Sequence, residues 1–417
     1  MSPQGAVVIV GSGQSGGRAA EALRQGGHTG RITLIGDEFH APYERPALSK
    51  EFLSSAAPEK LAWVRPHAWY AEVAITTLHG RRAVGIDRAR HVVELDQGSP
   101  VEYQTLVLTT GARPRQLTVE GTDHPLVSYL RTIEDSQQLQ RRLSPGARVV
   151  VIGAGFIGME VAATAVSRGC AVTVLELAAL PMARVIPRQL GDFYADFHRR
   201  KGVDVRLATA VSRITDEQGR ALVHTDRGDP ILADAVVVGI GVIPNVELAQ
   251  AAGLEIDNGI VVDEFGRTGD PAIYAAGDVT SHFNSLLGRR VRLESWQNAQ
   301  NQAIAVARNI LGAAIPYAEV PWFWSDQYEL NLQIAGLPQA ADTIIGRSGP
   351  GGGGPALCFH LREGRLAAVI GINCARDVRF GKEIIALGGS PSAAELGDPA
   401  VSLASVYAAA KRSAQAA

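Results

Sequence analysis

Ala6-Val-Val-Ile-Val10 runs directly into Gly11-Ser-Gly13-Gln-Ser-Gly16, and about 140 residues later Ala147-Arg-Val-Val-Val-Ile152 runs into Gly153-Ala-Gly155-Phe-Ile-Gly158. Each apolar, β-branched run reads as a buried parallel strand. Each glycine triplet then reads as a strand-to-helix turn. The first glycine allows the tight turn, the second lets backbone approach a pyrophosphate, and the third lets helix pack on strand. The helix N-terminus that follows offers free N–H groups and a positive dipole end to phosphate.

Both units continue in the same way. After the first come a helical pattern over Arg18–Arg24, a strand Arg31–Ile35, and Asp37, 26 residues past Gly11. After the second come a helix from Gly158 to Ser167, a strand Ala171–Leu175, and Glu176, 23 residues past Gly153. An acid at that distance meets a ribose 2′-OH and repels a 2′-phosphate, which favours NADH over NADPH. Arg184 in the next loop is a cation that a 2′-phosphate could use instead. A lone triplet is weak evidence, but two complete units imply two dinucleotides, the arrangement in which a nicotinamide reduces a flavin.

The 417 residues suit two or three domains. A net charge of −2 gives no global reason to expect nucleic acid or membrane as partner. Basic clusters at Arg81-Arg82, Arg199-Arg200-Lys201, Arg289-Arg290 and Arg376/Arg379/Lys382 read as solvated faces or as a dock for an acidic protein. The three cysteines, Cys170, Cys358 and Cys374, form no CxxC or CxxxxC pair. This excludes a dithiol relay of adjacent cysteines and argues against a disulfide scaffold. No metal-ligand cluster is evident. The N-terminal apolar run is too short for a signal peptide, and no run reaches the ~18 residues of a spanning helix. The expected location is the cytoplasm.

Past residue 236 come a strand at Ala235–Val238 ending in Gly239-Ile240-Gly241 and another at Ile273–Ala275 running into Gly277-Asp278. From Pro321-Trp-Phe-Trp324 the pattern becomes strand-like pieces: Leu330–Ile334, Thr343–Ile345, Ala356–His360 and Leu366–Ile370. Gly349–Pro355 reads as a long hairpin loop, and a helical tail covers roughly Pro399–Lys411. This last part reads as a small α+β domain.

In this order, several segments resemble the FAD-dependent NADH:ferredoxin reductases of the glutathione-reductase fold. These are the reductase components of bacterial aromatic-ring dioxygenases and of P450 systems of putidaredoxin-reductase type. The segments are Pro42–Lys50, Leu106–Pro114, Leu130-Arg131-Thr132, Val238–Asn245, Ala275–Val279, Arg292–Ala299 and Trp322–Gln327. The resemblance spans about residues 5 to 400. It implies an α/β chain with two Rossmann-like domains and a C-terminal α+β domain. The FAD domain is split into 1–113 and 245–317, the NAD domain is 114–244, and 318–417 form the last domain. The crossings fall near Thr110-Gly111 and Gly239–Gly241.

The resemblance places FAD on Gly11, Gly13, Ser15, Gly16, Asp37, Arg45, Lys50, Ala83, Thr110, Gly111, Arg131, Gly277, Asp278 and Trp296. It places NADH on Gly153, Gly155, Phe156, Ile157, Gly158, Glu160, Glu176, Gly239, Ile240 and Gly241. Lys50 and Glu160 are expected to pair and to act catalytically. Glu160, in the first turn of its helix, meets the nicotinamide carboxamide, and Lys50 faces flavin N5. Alone, Glu160 reads as an ordinary helix-start acid and Arg131 as a surface arginine. Trp296 reads as a flavin-edge residue or a core aromatic, and Trp324 as a partner-facing aromatic or a packing residue.

The implied activity is hydride transfer from NADH to FAD, then single electrons to a small [2Fe–2S] ferredoxin. Other acceptors remain open here, namely rubredoxin, oxygen or a quinone, as does a redox protein resembling apoptosis-inducing factor. A peroxide-reducing relative would need a cysteine after the first unit, and Arg45–Ser55 holds none.

Overall fold

The computed structural model describes residues 5–55, 61–348 and 355–416. The glycine-rich segment 349–354, read above as a hairpin loop, lies outside the described residues. Two compact units are present: Met1–Arg45, Leu61–Arg113 and Ile243–Pro321 form the first, and Pro46–Lys60, Pro114–Val242 and Trp322–Ala417 the second.

The first unit is built on a five-stranded sheet in the order Ile273–Ala275, Thr105–Leu108, Val7–Val10, Ile32–Gly36, Ile75–His79. All neighbours run parallel. The Val7–Val10 strand is central and wholly buried, as an unbroken apolar run requires when both sheet faces are covered. The helices Gln14–Gln25 and Trp296–Ile310 pack on one face, closing a core of Ile9, Ala20, Leu23, Val107, Tyr274 and Ala303.

The second unit repeats the plan with Asp204–Arg206, Ala171–Leu175, Arg148–Ile152, Ala235–Val238 and Val127–Tyr129, again all parallel. Leu53 of the 46–60 segment is fully buried in this unit's core, beside Met159 and Val161. A third sheet is antiparallel, ordered Trp322–Gln327, Leu330–Gly336, Arg365–Ile372, Pro355–Arg362, Thr343–Ser348. Its strands read apolar-in on the face that meets helix Arg188–Arg200, where Leu332, Ile334 and Ile370 pack on Leu190, Tyr194 and Phe197. The α+β tail ends in helices Ala375–Ala386 and Leu403–Ala416. Among the described residues no helix is long and apolar enough to cross a membrane.

Four buried histidines, His28, His198, His282 and His360, all titrate below the ordinary imidazole value, chiefly because burial penalises the charged ring. His282 is the extreme. Burial and then Arg290 push it down to about 4, and neither ring nitrogen has a hydrogen-bond partner among the described residues. Between pH 6.5 and about 4 the unfolded chain binds a proton that the folded one refuses. Stability therefore falls as pH falls through that window. The thermal midpoint should drop on acidification below pH 6.5, and His282→Gln should flatten part of that slope in melts followed by circular dichroism.

Candidate active site

Both glycine turns have the same geometry. Gly11 and Gly153 take φ of +109° and +102°, open only to glycine at low cost. A Cβ on Gly16 would lie 1.9 Å from Gly11 O, and one on Gly158 would lie 2.0 Å from Gly153 O. The helix backbone therefore rests directly on the end of its strand. The middle glycines are the opposite. Within 4 Å a Cβ on Gly13 would meet only Arg45 Nη2, at 3.9 Å, and one on Gly155 only Gly239 O, at 3.8 Å. Each turn leaves open space at the helix N-terminus, where a pyrophosphate is favoured.

The rest of the first unit's residues gather round its turn. Ser15 is buried, and a Cβ on Gly277 would lie 2.9 Å from Ser15 Oγ, so the fingerprint and the Gly277-Asp278 turn touch. Gln302, which sequence reading missed, holds that turn. Its Oε1 accepts from Gly277 N–H at 2.8 Å and from Thr280 Oγ1–H at 2.9 Å. Gln14 was also missed. Its amide is buried in the turn's helix, and its Nε2 and Oε1, like Ser15 Oγ, have no hydrogen-bond partner among the described residues.

Arg45 donates to Glu38 Oε1 at 2.6 Å and to Tyr43 Oη at 3.0 Å. Burial pulls its guanidinium down, but Tyr43, Glu38 and Asp278 outweigh that, and its pKa is raised. Asp37 is exposed at the end of its strand, 3.4 Å from Arg82. Ala83 is half-buried and opens the strand Ala83–Asp87. Thr110 Oγ1 donates to Asn245 O at 2.7 Å, and Asn245 Nδ2 donates to Thr110 O at 2.8 Å. With Asn245 N–H on Gly111 O at 2.9 Å, the two chain crossings are tied together. Trp296 is half-buried and opens its helix, capped by Ser295.

In the second unit Glu176 Oε2 accepts from Ala154 N–H at 2.6 Å and Oε1 from Ala178 N–H at 2.8 Å. Arg184 Nη2 lies 4.0 Å from where a Gly241 Cβ would stand, and Ile240 Cγ2 is 3.3 Å from that of Gly153. Phe156 packs on Phe323, ring centroids 4.4 Å apart, while Ile157 is exposed. Arg131 precedes the capping box of helix Ile133–Arg142, its N–H on Asp135 Oδ2 at 2.9 Å. Trp324 stacks on Trp322 at 5.1 Å and donates to Asp326 at 3.0 Å.

Lys50 Nζ lies 2.9 Å from Glu160 Oε2, and the Glu160 side chain is only 2% exposed. One expectation is corrected: Glu160 is in the second turn of its helix. That helix begins at Phe156, with Gly155 as its extended cap, and its first turn holds no acid. The carboxylate is therefore balanced by side chains and not by helix-end amides.

The cradles fit dinucleotides: open middle glycines, an arginine or a glycine carbonyl at each opening, and orphaned buried polar atoms at Gln14 and Ser15. Such a pair defines a nucleotide-linked redox enzyme. Residues 5–303 match the pyridine nucleotide-disulphide oxidoreductase family and residues 322–407 the reductase C-terminal family. The chain is 47% identical over 398 residues to the ferredoxin–NAD(+) reductase component of the anthranilate 1,2-dioxygenase system of Burkholderia cepacia, covering 95% of this chain and 98% of that protein. It is 41% identical over 413 residues to putidaredoxin reductase of Pseudomonas putida, covering 97% of each. The crystal structure of the covalent putidaredoxin reductase–putidaredoxin complex matches it with a TM-score of 0.93 at 40% identity, over 98% of this chain and 99% of that one. The chain belongs to the pyridine nucleotide-disulphide oxidoreductase family, and its cofactors are FAD and NADH.

Glu176→Ala removes the acceptor at the edge of the second cradle and frees two backbone amides. It should raise the NADH dissociation constant about tenfold and narrow the preference over NADPH, as read by titration of the oxidised protein with each nucleotide.

Proposed function

We propose that this chain is a cytoplasmic NADH-dependent ferredoxin reductase, supplying single electrons to a small [2Fe–2S] ferredoxin that serves a ring-hydroxylating dioxygenase or a cytochrome P450. The observation that carries this reading is the lack of a redox dithiol beside two dinucleotide cradles. All three cysteines are free, and two of them are buried. Burial pushes Cys358 up to about 11 and raises Cys170 as well, so neither is a ready thiolate at neutral pH. In such a protein the bound flavin supplies the chemistry, accepting a hydride and returning electrons singly.

The protein's own residues then bind, orient and set the field. In this reading residues 1–113 and 245–317 hold FAD, with Gly13 and Arg45 at the pyrophosphate, Asp37 at the adenosine ribose and Asp278 at the ribitol. Residues 114–244 hold NADH on the Gly153 turn, with Glu176 at the ribose hydroxyls, and 318–417 form the C-terminal domain. Lys50 supplies a fixed positive charge, which favours a reduced, anionic ring, and Glu160 fixes the position of Nζ. Its likeness to a ferredoxin–NAD(+) reductase component of a dioxygenase system and to putidaredoxin reductase supports a ferredoxin as acceptor.

Lys50→Ala should slow flavin bleaching by NADH in a stopped-flow instrument by about tenfold or more, the scale of one lost charge-assisted contact. The acceptor is tested by NADH-driven cytochrome c reduction with and without candidate [2Fe–2S] ferredoxins. A ferredoxin-dependent rise is expected, well above the rates with oxygen, a quinone or rubredoxin. A protein that reduces one of those three directly, and gains nothing from any ferredoxin, is not a ferredoxin reductase.

A further inference from the structure

Glu160 is held by more than Lys50. Its Oε1 accepts from Ser325 Oγ–H at 2.6 Å, and its Oε2 accepts from Ser49 Oγ–H at 2.6 Å as well as from Lys50. Both hydroxyls donate to the carboxylate, one to each oxygen, and an ionised carboxylate is acceptor-only. Ser49 is the lysine's immediate neighbour, but Ser325 comes from the strand Trp322–Gln327, 165 residues away in sequence.

Behind Ser325 the chain of donors continues. Gln327 Nε2 donates to Ser325 Oγ at 3.2 Å, and Gln327 Oε1 lies 3.0 Å from His198 Nε2. All three side chains are buried, with Ser325, Gln327 and His198 each at 0% exposure. Polarity along this chain is set at both ends. The carboxylate accepts, so Ser325 donates to it, and Gln327 donates to Ser325. The Gln327 carbonyl then requires a proton on His198 Nε2, leaving Nδ1 bare and without a partner. Burial lowers the His198 pKa, which keeps the ring in that neutral form. Every dipole in the series thus points its positive end at Glu160, and alignment of this kind strengthens each bond.

We propose that Ser325, oriented by Gln327 and His198, is a positioning residue for the Lys50–Glu160 pair, and that it fixes the carboxylate so that the ammonium keeps one place and an undiminished field. The proposal rests on the reading of that pair as part of the hydride-transfer site. It assigns the C-terminal sheet a role in the first half-reaction. Ser325 touches neither cofactor in this scheme and acts through Glu160.

The test uses the full-length flavoprotein and three readouts: the limiting rate of flavin reduction by NADH, the NADH dissociation constant, and the flavin midpoint potential. For Ser325→Ala the limiting rate should fall about tenfold, the value of one lost hydrogen bond to a charged group. Nucleotide affinity should change much less. The potential should move to more negative values, because a less neutralised carboxylate opposes electron uptake nearby. Ser325→Thr, which keeps the hydroxyl, should restore both rate and potential. If Ser325→Ala does not fold, Ser325→Cys, close in volume but a weak donor, carries the same expectation. A native rate and potential in Ser325→Ala or Ser325→Cys overturns the proposal. Glu160→Gln separates the two levels. If it is slow while the Ser325 variants are native, only the role of Ser325 fails. If it is itself native, the reading of the pair fails.

Discussion

One steric constraint underlies both halves of this protein: a helix that starts on top of the strand feeding it. At Gly16 and Gly158 there is no room for even a methyl group between the helix and the carbonyl of Gly11 or Gly153. That approach points the helix's free N–H groups at the space in front of the strand's end. It also fixes the helix axis against the sheet, so that Ala20 and Leu23 in one unit, and Val161 and Ala165 in the other, reach their cores. Nucleotide cradle and hydrophobic core are therefore products of the same contact.

How much of this was legible in the sequence depends on range. The strands Val7–Val10 and Arg148–Ile152 were readable because a parallel strand buried on both faces leaves an unbroken β-branched run. Helix starts were less readable: Gln14–Gln25 begins on glycines and polar residues, which hide the apolar period until Arg18. In the second unit the helix starts at Phe156, two residues before the third glycine from which it was read, and that offset put Glu160 in the wrong turn. Gln302 and Ser325 carried no local signal at all. Gln302 looks like any polar residue on a helix, and only the fold brings it under the Gly277 turn. Ser325 and Glu160 meet across 165 residues, a separation that no pattern reports. Pairings among the motif residues were implied by resemblance, whereas the partners that support them are brought together only by the fold.

The family is named for a disulphide that this chain lacks. Two of its three cysteines are buried in cores: Cys170 packs with Val149 and Val172, and Cys358 with Leu332 and Ile370. A cation at Lys50 and an anion at Glu160, both largely withdrawn from water, form a fixed dipole in a region of low dielectric, where charge counts for more than at the surface. Truncating one partner of such a pair leaves the other exposed to the full cost of burial. That cost explains why the carboxylate is surrounded by hydroxyl donors.

Glu176 shows the same economy on a smaller scale. Its two oxygens are already spoken for by the amides of Ala154 and Ala178, one from the glycine turn and one from the loop beyond the strand. Each oxygen keeps further lone-pair capacity. In the proposed reading, a sugar hydroxyl at that edge would meet an acceptor already held in place, so little side-chain entropy would be lost when the contact formed. An exchangeable ligand must leave as readily as it arrives. In that reading, preorganisation of this kind gives specificity for the sugar edge at little cost in side-chain entropy.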